Sequence, residues 1–241
     1  MIIFPVILMV MVNPSAKKVF TSVLKKPKRG NRLMIESLEQ RVAEVRARFF
    51  PMTLPADVIV HPVDADTLEQ IKCVIAPRIF PHDGQLRRFR TPPEREANLQ
   101  LVRDMYAHRH RERFVLYSPD GEPVGWSYGQ MEDYLTFYMH TMGLVPEYRG
   151  KGIYTAWLRG LCEYIGALGY ERLTSHHQPN NRAVLIGKLK AGWVITGMEL
   201  DESYGPLVKM AYYTHSDREH GFAEVFSMRP PPKRGNQDKR A

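Results

Sequence analysis

The segment that most constrains this 241-residue chain is the junction between a strand and a helix. An extended run, Tyr134–Leu144, passes through Val145-Pro146-Glu147-Tyr148-Arg149-Gly150-Lys151-Gly152 straight into a helical stretch from Tyr154 to Leu168. Gly169 is placed to end that helix, and Arg172–Ser175 reads as the next strand. A strand that runs directly into a helix, with another strand after it, belongs to a sheet that carries helices on its faces.

The rest of the body follows the same plan. Val58–Val60 reads as a short strand, and Asp64-Ala65-Asp66 opens a helix through Ile71 to Ile75. Prolines and a glycine over 77–93 mark a loop, and a second helix is expected from Glu94 to Arg111. Phe114–Tyr117 and Val124–Gln130 read as strands joined by the hairpin turn Pro119-Asp120-Gly121-Glu122-Pro123. After Arg172–Ser175 come Gln178-Pro179-Asn180-Asn181, a short helix ending at Ala191-Gly192, and strands Trp193–Leu200 and Leu207–Thr214. The order β-α-α-β-β-β-α-β-α-β-β is an α+β fold, a mixed central sheet flanked by helices. Upstream, Ile35, Leu38, Val42, Val45 and Phe49 recur at helical spacing and stop before Pro51. We read 34–50 as an amphipathic helix that packs on the body or against a second copy, as in a homodimer.

The net charge of +8 matters less than its location. Residues 1–33 carry +7 and residues 229–241 carry +4, which leaves −3 on residues 34–228. A basic, nucleic-acid-binding body is therefore excluded, and contact with nucleic acid or membrane belongs to the tails, if anywhere. The first twelve residues, MIIFPVILMVMV, are apolar but fall short of the roughly 20 that span a bilayer. Lysines follow this run instead of preceding it, unlike a secretory signal. One reading of residues 1–33 is a disordered extension ahead of a natural start at Met34; a membrane-surface anchor or a signal is the other. The principal domain is then expected at 51–215, with a basic, Pro-rich, disordered tail at 216–241. Two cysteines, Cys73 and Cys162, make no disulfide framework and suit a reducing, cytoplasmic setting.

Two glycines at a helix entrance let backbone N–H groups converge in one concavity beside the positive end of the helix. Arg149 and Lys151 add charge, so the loop suits a pyrophosphate. It has neither the spacing of a Walker loop nor a GxGxxG, which disfavours nucleoside triphosphates and dinucleotides.

Residues 58–214 resemble the GNAT acyltransferases in element order, and Arg149-x-x-Gly152-x-Tyr154 resembles that family's Q/R-x-x-G-x-G/A acetyl-CoA motif. Asn181, eleven residues before Gly192-Trp193, matches the family's Asn…Gly-Phe signature. The resemblance implies the GNAT acyl-CoA N-acyltransferase fold and direct transfer of acetyl from acetyl-CoA to an amine acceptor, without a metal. It also implies cofactor contacts from backbone groups of Met142, Gly143 and Leu144 and of Arg149, Gly150, Lys151, Gly152, Ile153 and Tyr154, with Asn181 beside the pantetheine arm. Two positions depart from the pattern. Tyr154 stands where Gly or Ala is usual, and Lys188 stands where many members carry a Tyr that protonates the leaving thiolate.

Transfer to an amine needs a base for the amine, donors for the oxyanion and a proton for the sulfur. His140 is the first candidate base and Tyr138 the second; lying two apart on one strand, they share a face. His176-His177 are expected to open on the same cleft, Glu132-Asp133 to greet a cationic acceptor, and Tyr204 to stand as a further acid. Two other readings compete: a GNAT-fold module that holds acyl-CoA without turnover, and a protein- or ribosome-associated acetyltransferase.

Overall fold

The computed structural model describes residues 37–81 and 91–225, so the expectations for residues 1–33 and for 226–241 lie outside the described residues. The chain divides into residues Met1–Leu38 and Glu39–Ala241, and the whole sheet belongs to the second unit. Among the described residues no helix is long and apolar enough to cross a membrane.

Eight strands form one sheet in the order β1-β2-β3-β4-β5-β6-β8-β7. They are β1 (Met52–Leu54), β2 (Val58–Pro62), β3 (Arg111–Tyr117), β4 (Pro123–Met131), β5 (Thr136–Leu144), β6 (Arg172–His177), β7 (Val194–Asp201) and β8 (Gly205–Tyr213). Neighbours run antiparallel except β5 and β6, which are parallel and joined by a crossover helix. The helices are α1 (Leu38–Phe49), α2 (Ala65–Ile79), α3 (Pro93–Ala107), α4 (Ile153–Ala167), α5 (Arg182–Lys190) and α6 (Ser216–Val225). This is the expected α+β arrangement, a mixed sheet flanked by helices.

Local chemistry explains the helix ends. Asp64 caps α2, its Oδ1 accepting from the Thr67 N–H at 2.7 Å. Beyond α4, Gly169 sits at φ +104°. There its N–H reaches the Gly166 carbonyl (3.0 Å) and the Tyr170 N–H reaches that of Ile165 (3.3 Å), a paired helix stop that needs a glycine.

Two helices define the faces of the sheet. On one face lies α4, whose buried Trp157, Leu158, Leu161 and Ile165 pack on the strands. Phe114 of β3 meets Trp157 at 4.8 Å and Phe50 at 5.0 Å between ring centroids. Truncating a buried Trp or Phe of such a cluster to Ala costs about 3–5 kcal/mol. On the other face lies α2, with Leu68, Ile75 and Ile79 buried and the following Phe80 set edge-on to Trp126 at 5.7 Å.

The α1 stripe faces the body, with Val42 and Val45 buried and Phe49 against Tyr164 at 5.6 Å. A buried polar cluster joins it to the sheet. Glu112 of β3, with 0% of its side chain exposed, accepts from Arg46 of α1 (2.9 Å) and from Tyr164 Oη of α4 (2.9 Å). His110 lies between Glu112 Oε1 and Tyr170 Oη, 2.8 Å from each.

Three details differ from the sequence reading. The second helix ends at Ala107, because Arg109 and Arg111 fold back over the Tyr106 ring at 4.3 and 5.8 Å and Arg111 then enters the β3 ladder opposite Gln130. Strand β1, three residues after a proline, is too short to show periodicity. The expected tail at 216–241 begins instead with a helix, α6. Asp217 and Glu219 suit its N-terminal turn, Phe222 packs on Tyr213 at 5.6 Å, and Arg218 pairs with Glu171.

Candidate active site

The site begins where two strands part. The parallel ladder of β5 and β6 covers Thr136↔Arg172, Phe137↔Leu173 and Tyr138↔Thr174. Beyond these, β5 runs on to Leu144 held by β4, and β6 runs on to His177 held by β8. The arms are no longer paired with each other, so the inner edge of β5 from Met139 to Leu144 offers backbone donors and acceptors to a slot. A bulge marks the parting: Tyr128 pairs with Thr141 and Gly129 with Met139, leaving His140 as the extra residue.

At the end of the β5 arm, Pro146–Tyr148 forms a short 3₁₀ turn. Gly150 (φ +75°) and Gly152 (φ +77°) then take the left-handed backbone that swings the chain into α4. Gly152 is the N-cap without a capping side chain, and the first bond onto its carbonyl comes from the Ala156 N–H at 3.1 Å. The amides before Ala156 are thus left at the open, positive end of the helix. Arg149 serves this loop differently from the expected charge donor. Its Nε donates to the Leu144 carbonyl (2.9 Å) and its Nη2 to that of Ile79 (3.1 Å), so the guanidinium clamps the loop to β5 and α2. Lys151 lies over the Tyr148 ring at 4.7 Å. Asn181 precedes α5 at its N-cap position without a side-chain cap bond.

The α2 face of the slot carries aromatic and titratable groups. Tyr138 and His140 do share a face, with ring centroids 4.5 Å apart, and His140 also stacks on Tyr128 at 5.0 Å. Partial desolvation of the stacked ring, on a residue that stays exposed, and the nearby Arg111 hold the His140 pKa below its ordinary value. Tyr138 Oη lies 3.1 Å from His176 Nδ1. The other nitrogen of that ring, Nε2, is 3.2 Å from Glu199 Oε2, off the line of a good hydrogen bond. Burial, then the carboxylates of Glu132 and Glu199, push the Tyr138 phenol up to about 12.

The α4 face carries Lys188. This lysine is 1% exposed, with Nζ 3.2 Å from the Trp193 ring centroid and 3.6 Å from Met139 Sδ. Met139 is the first β5 residue beyond the parting, so the amine sits at the apex of the slot. Burial pushes Lys188 down to about 7. His177, on the β6 arm, is pushed down to about 3 by burial and by Lys188, and its Nε2 lies 2.9 Å from Ser175 Oγ.

His176 and His177 therefore do not open on one cleft. Successive strand residues point to opposite faces, so His176 meets Tyr138 and His177 meets Ser175. Glu132 and Asp133 are also engaged. Glu132 accepts from Thr174 Oγ1 at 2.6 Å, and Asp133 pairs with Arg172 at 3.2 Å and caps the Leu135 N–H at 2.8 Å. Tyr204 is half exposed, at 50%.

Residues 82–185 match the family model for the GNAT acetyltransferases. Over those residues the chain is similar to the GNAT family. Its parted parallel strands, its amide-lined loop and its sheet order are the GNAT acyl-CoA N-acyltransferase fold. Solved structures similar to this chain include spermidine/spermine N-acetyltransferases of Vibrio cholerae. One, in complex with CoA and spermine, is 15% identical over 65% of this chain and 95% of that one, at a TM-score of 0.47. Another, in complex with manganese ions, is 15% identical over 68% and 96%, at 0.48. A dodecameric form is 17% identical over 65% and 94%, also at 0.48. No curated protein matches the sequence.

Two features of the site escaped the sequence. Glu199 reaches the site from β7, two strands beyond β6 in the sheet, and no local spacing announces it. The burial of Lys188 is equally silent in a short helix with basic residues in its last turn.

Proposed function

We propose that this chain is an acyl-CoA-dependent N-acyltransferase that moves acetyl from acetyl-CoA to an amine by direct attack. The observation that supports it best is the slot with proton-handling groups on its two faces and a helix entrance at its end. The amides from Gly150 to Tyr154 and the positive end of α4 suit a pyrophosphate, with Lys151 adding charge and Arg149 holding the loop in shape. The free β5 edge at Met142, Gly143 and Leu144 suits the amide-bearing arm, with Asn181 on the far side of the slot.

The sheet divides the chemistry. On the α2 face, Tyr138 and His140 receive the proton of the attacking amine. On the α4 face, Lys188 gives a proton to the departing sulfur; an ammonium with a pKa of about 7 is a competent acid at neutral pH. A lysine in the usual tyrosine position thus supports turnover over mere binding. The carboxylates that act on Tyr138, namely Glu132, Glu199 and Asp201, favour an acceptor that arrives as a cation. Cys73 and Cys162 suit a reducing setting, and we place this activity in the cytoplasm.

Coenzyme A release is the direct test. The purified chain, given acetyl-CoA and a panel of primary amines, should release CoA with at least one amine and add an acetyl group to it by mass spectrometry. Tight acetyl-CoA binding without release from any member of a broad panel would leave a binding module in its place.

A further inference from the structure

We propose that Tyr138, His176 and Glu199 form a phenol–imidazole–carboxylate relay that carries the proton of the attacking amine from the slot to solvent. The inference rests on the acyltransferase reading and goes beyond it, because it assigns the base to His176 and brings in a carboxylate from the edge strand β7.

The three groups follow one another outward from the slot, the last step being a close charge contact and not an aligned hydrogen bond. Tyr138 is the last β5 residue paired with β6 and so stands at the apex of the slot, on the face opposite Lys188. Its Oη is 3.1 Å from His176 Nδ1, and His176 Nε2 is 3.2 Å from Glu199 Oε2. Exposure rises in the same order: the side chain of His176 is 13% exposed and that of Glu199 is 53% exposed. Three strands contribute one residue each, with the phenol at the slot and the carboxylate in water.

The far carboxylate fixes the near nitrogen. The negative charge of Glu199, 3.2 Å from Nε2 though off the line of a hydrogen bond, favours the proton on that nitrogen, which leaves Nδ1 as an acceptor for the Tyr138 hydroxyl. A side-chain staple between β5 and β6 would need no carboxylate on the opposite edge of the ring. His140 is exposed and stacks between tyrosine rings, with no carboxylate among the described residues paired to its imidazole.

The charges around His176 are compatible with the role. Burial and Lys209, its partner on β8, lower the pKa of the imidazole, while Glu199, Glu132 and Asp201 oppose them. The ring is therefore neutral at pH 7 and free to accept. Tyr138, raised to about 12, does not act as a phenolate. It hands its own proton on as it takes another.

The step balances. The amine nitrogen bonds to the acyl carbon, and the C–S bond breaks with its electron pair on sulfur. The amine proton moves to Tyr138 Oη, and the phenolic proton moves to His176 Nδ1. The imidazolium is stabilised by Glu199 and releases its Nε2 proton through that exposed carboxylate. Lys188 protonates the thiolate on the other face.

The test uses the full chain, acetyl-CoA and the panel amine that gives the fastest CoA release. Glu199→Gln keeps the size and removes the charge. It should lower kcat about tenfold or more and leave KM for acetyl-CoA unchanged. It should also move the acid limb of the pH profile to lower pH, because a carboxylate that raised the imidazole pKa is gone. Tyr138→Phe and His176→Gln should each cost about 10²-fold in kcat, and adding Glu199→Gln to either should cost little more. Nitrogen-15 NMR of His176, which needs no acceptor, should find the proton on Nε2 in the parent and a lower pKa in Glu199→Gln. A ring protonated on Nδ1 overturns the relay. So does a Glu199→Gln protein with parental kcat and pH profile beside an active parent. If no amine releases CoA from the parent, the acyltransferase reading falls, and the tautomer still decides whether the array exists.

Discussion

Tyr154 lays its ring against the bare backbone of Gly187: a Cβ added there would stand 3.4 Å from Tyr154 Cε1 and 3.6 Å from Cδ1. The tyrosine that departs from the GNAT loop motif is thus housed by a glycine on the facing helix, α5. Contact at that distance is ordinary, so Gly187→Ala should be tolerated. Gly187→Leu should push the ring toward the loop and weaken acetyl-CoA binding about tenfold or more, since overpacking typically costs 1–3 kcal/mol. Tyr154→Ala in the same chain should restore part of that loss. Isothermal titration of the two single variants and the double variant checks the coupling, and strict additivity would mean that the two positions act separately.

Acetyl-CoA should raise the melting temperature of the parent, because a ligand bound only by the folded chain stabilises it by mass action. Gly152→Val should abolish that rise. A β-branched residue at φ +77° is strained, and the new conformation would turn the helix amides away from their common centre. A folded Gly152→Val protein with an undiminished rise would locate the cofactor elsewhere.

Arg149 should matter for where its two bonds go, more than for its charge. Arg149→Lys retains the charge but has no planar fork to reach the Leu144 and Ile79 carbonyls together. It should lower acetyl-CoA affinity nearly as much as Arg149→Ala. If the lysine variant binds like the parent, charge is the operative property and the clamp is incidental.

Lys188 links catalysis to stability. Its pKa is about 7 in the folded chain and 10.5 when unperturbed. Between those values the unfolded chain holds a proton that the folded chain lacks, so the parent gains stability as pH rises from 7 toward 10.5. Below pH 7 the cost of a buried cation is present in full. Lys188→Met should therefore melt higher than the parent, by most below pH 7, with the gap closing toward pH 10.5. The same variant should lose kcat and the descending alkaline limb of the rate profile. A variant that gains stability yet keeps parental turnover would restrict Lys188 to packing over Trp193.

Most of the fold was legible because the period of the apolar residues changes where the structure does. The passage from β5 through two glycines to α4 is the clearest case: an extended run gives way to a helical stripe within a few residues. Helix α6 was hidden by its C-terminal neighbour, since Arg229-Pro-Pro-Pro-Lys-Arg colours the whole segment as a tail. At the site, the loop was legible because positive φ demands glycine, and Tyr138 beside His140 followed from strand alternation. The same alternation, applied to His176 and His177, separates them and corrects the shared cleft. Glu199 and the surroundings of Lys188 were not legible. Both depend on which elements meet across the sheet, and neither leaves a mark in local spacing.

The buried carboxylate of Glu112 decides where this protein can be cut. The stretch that matches the family begins at residue 82, yet the guanidinium that neutralises Glu112 belongs to Arg46, on a helix that lies entirely ahead of it. An excised fragment starting at residue 82 would lose Arg46 along with β1, β2 and α2, and breaking the Arg46–Glu112 pair alone costs on the order of 3 kcal/mol. That is a large fraction of the 5–15 kcal/mol that typically holds a domain together. A fragment cut for study should therefore keep Arg46 with Glu112, whatever the family boundary.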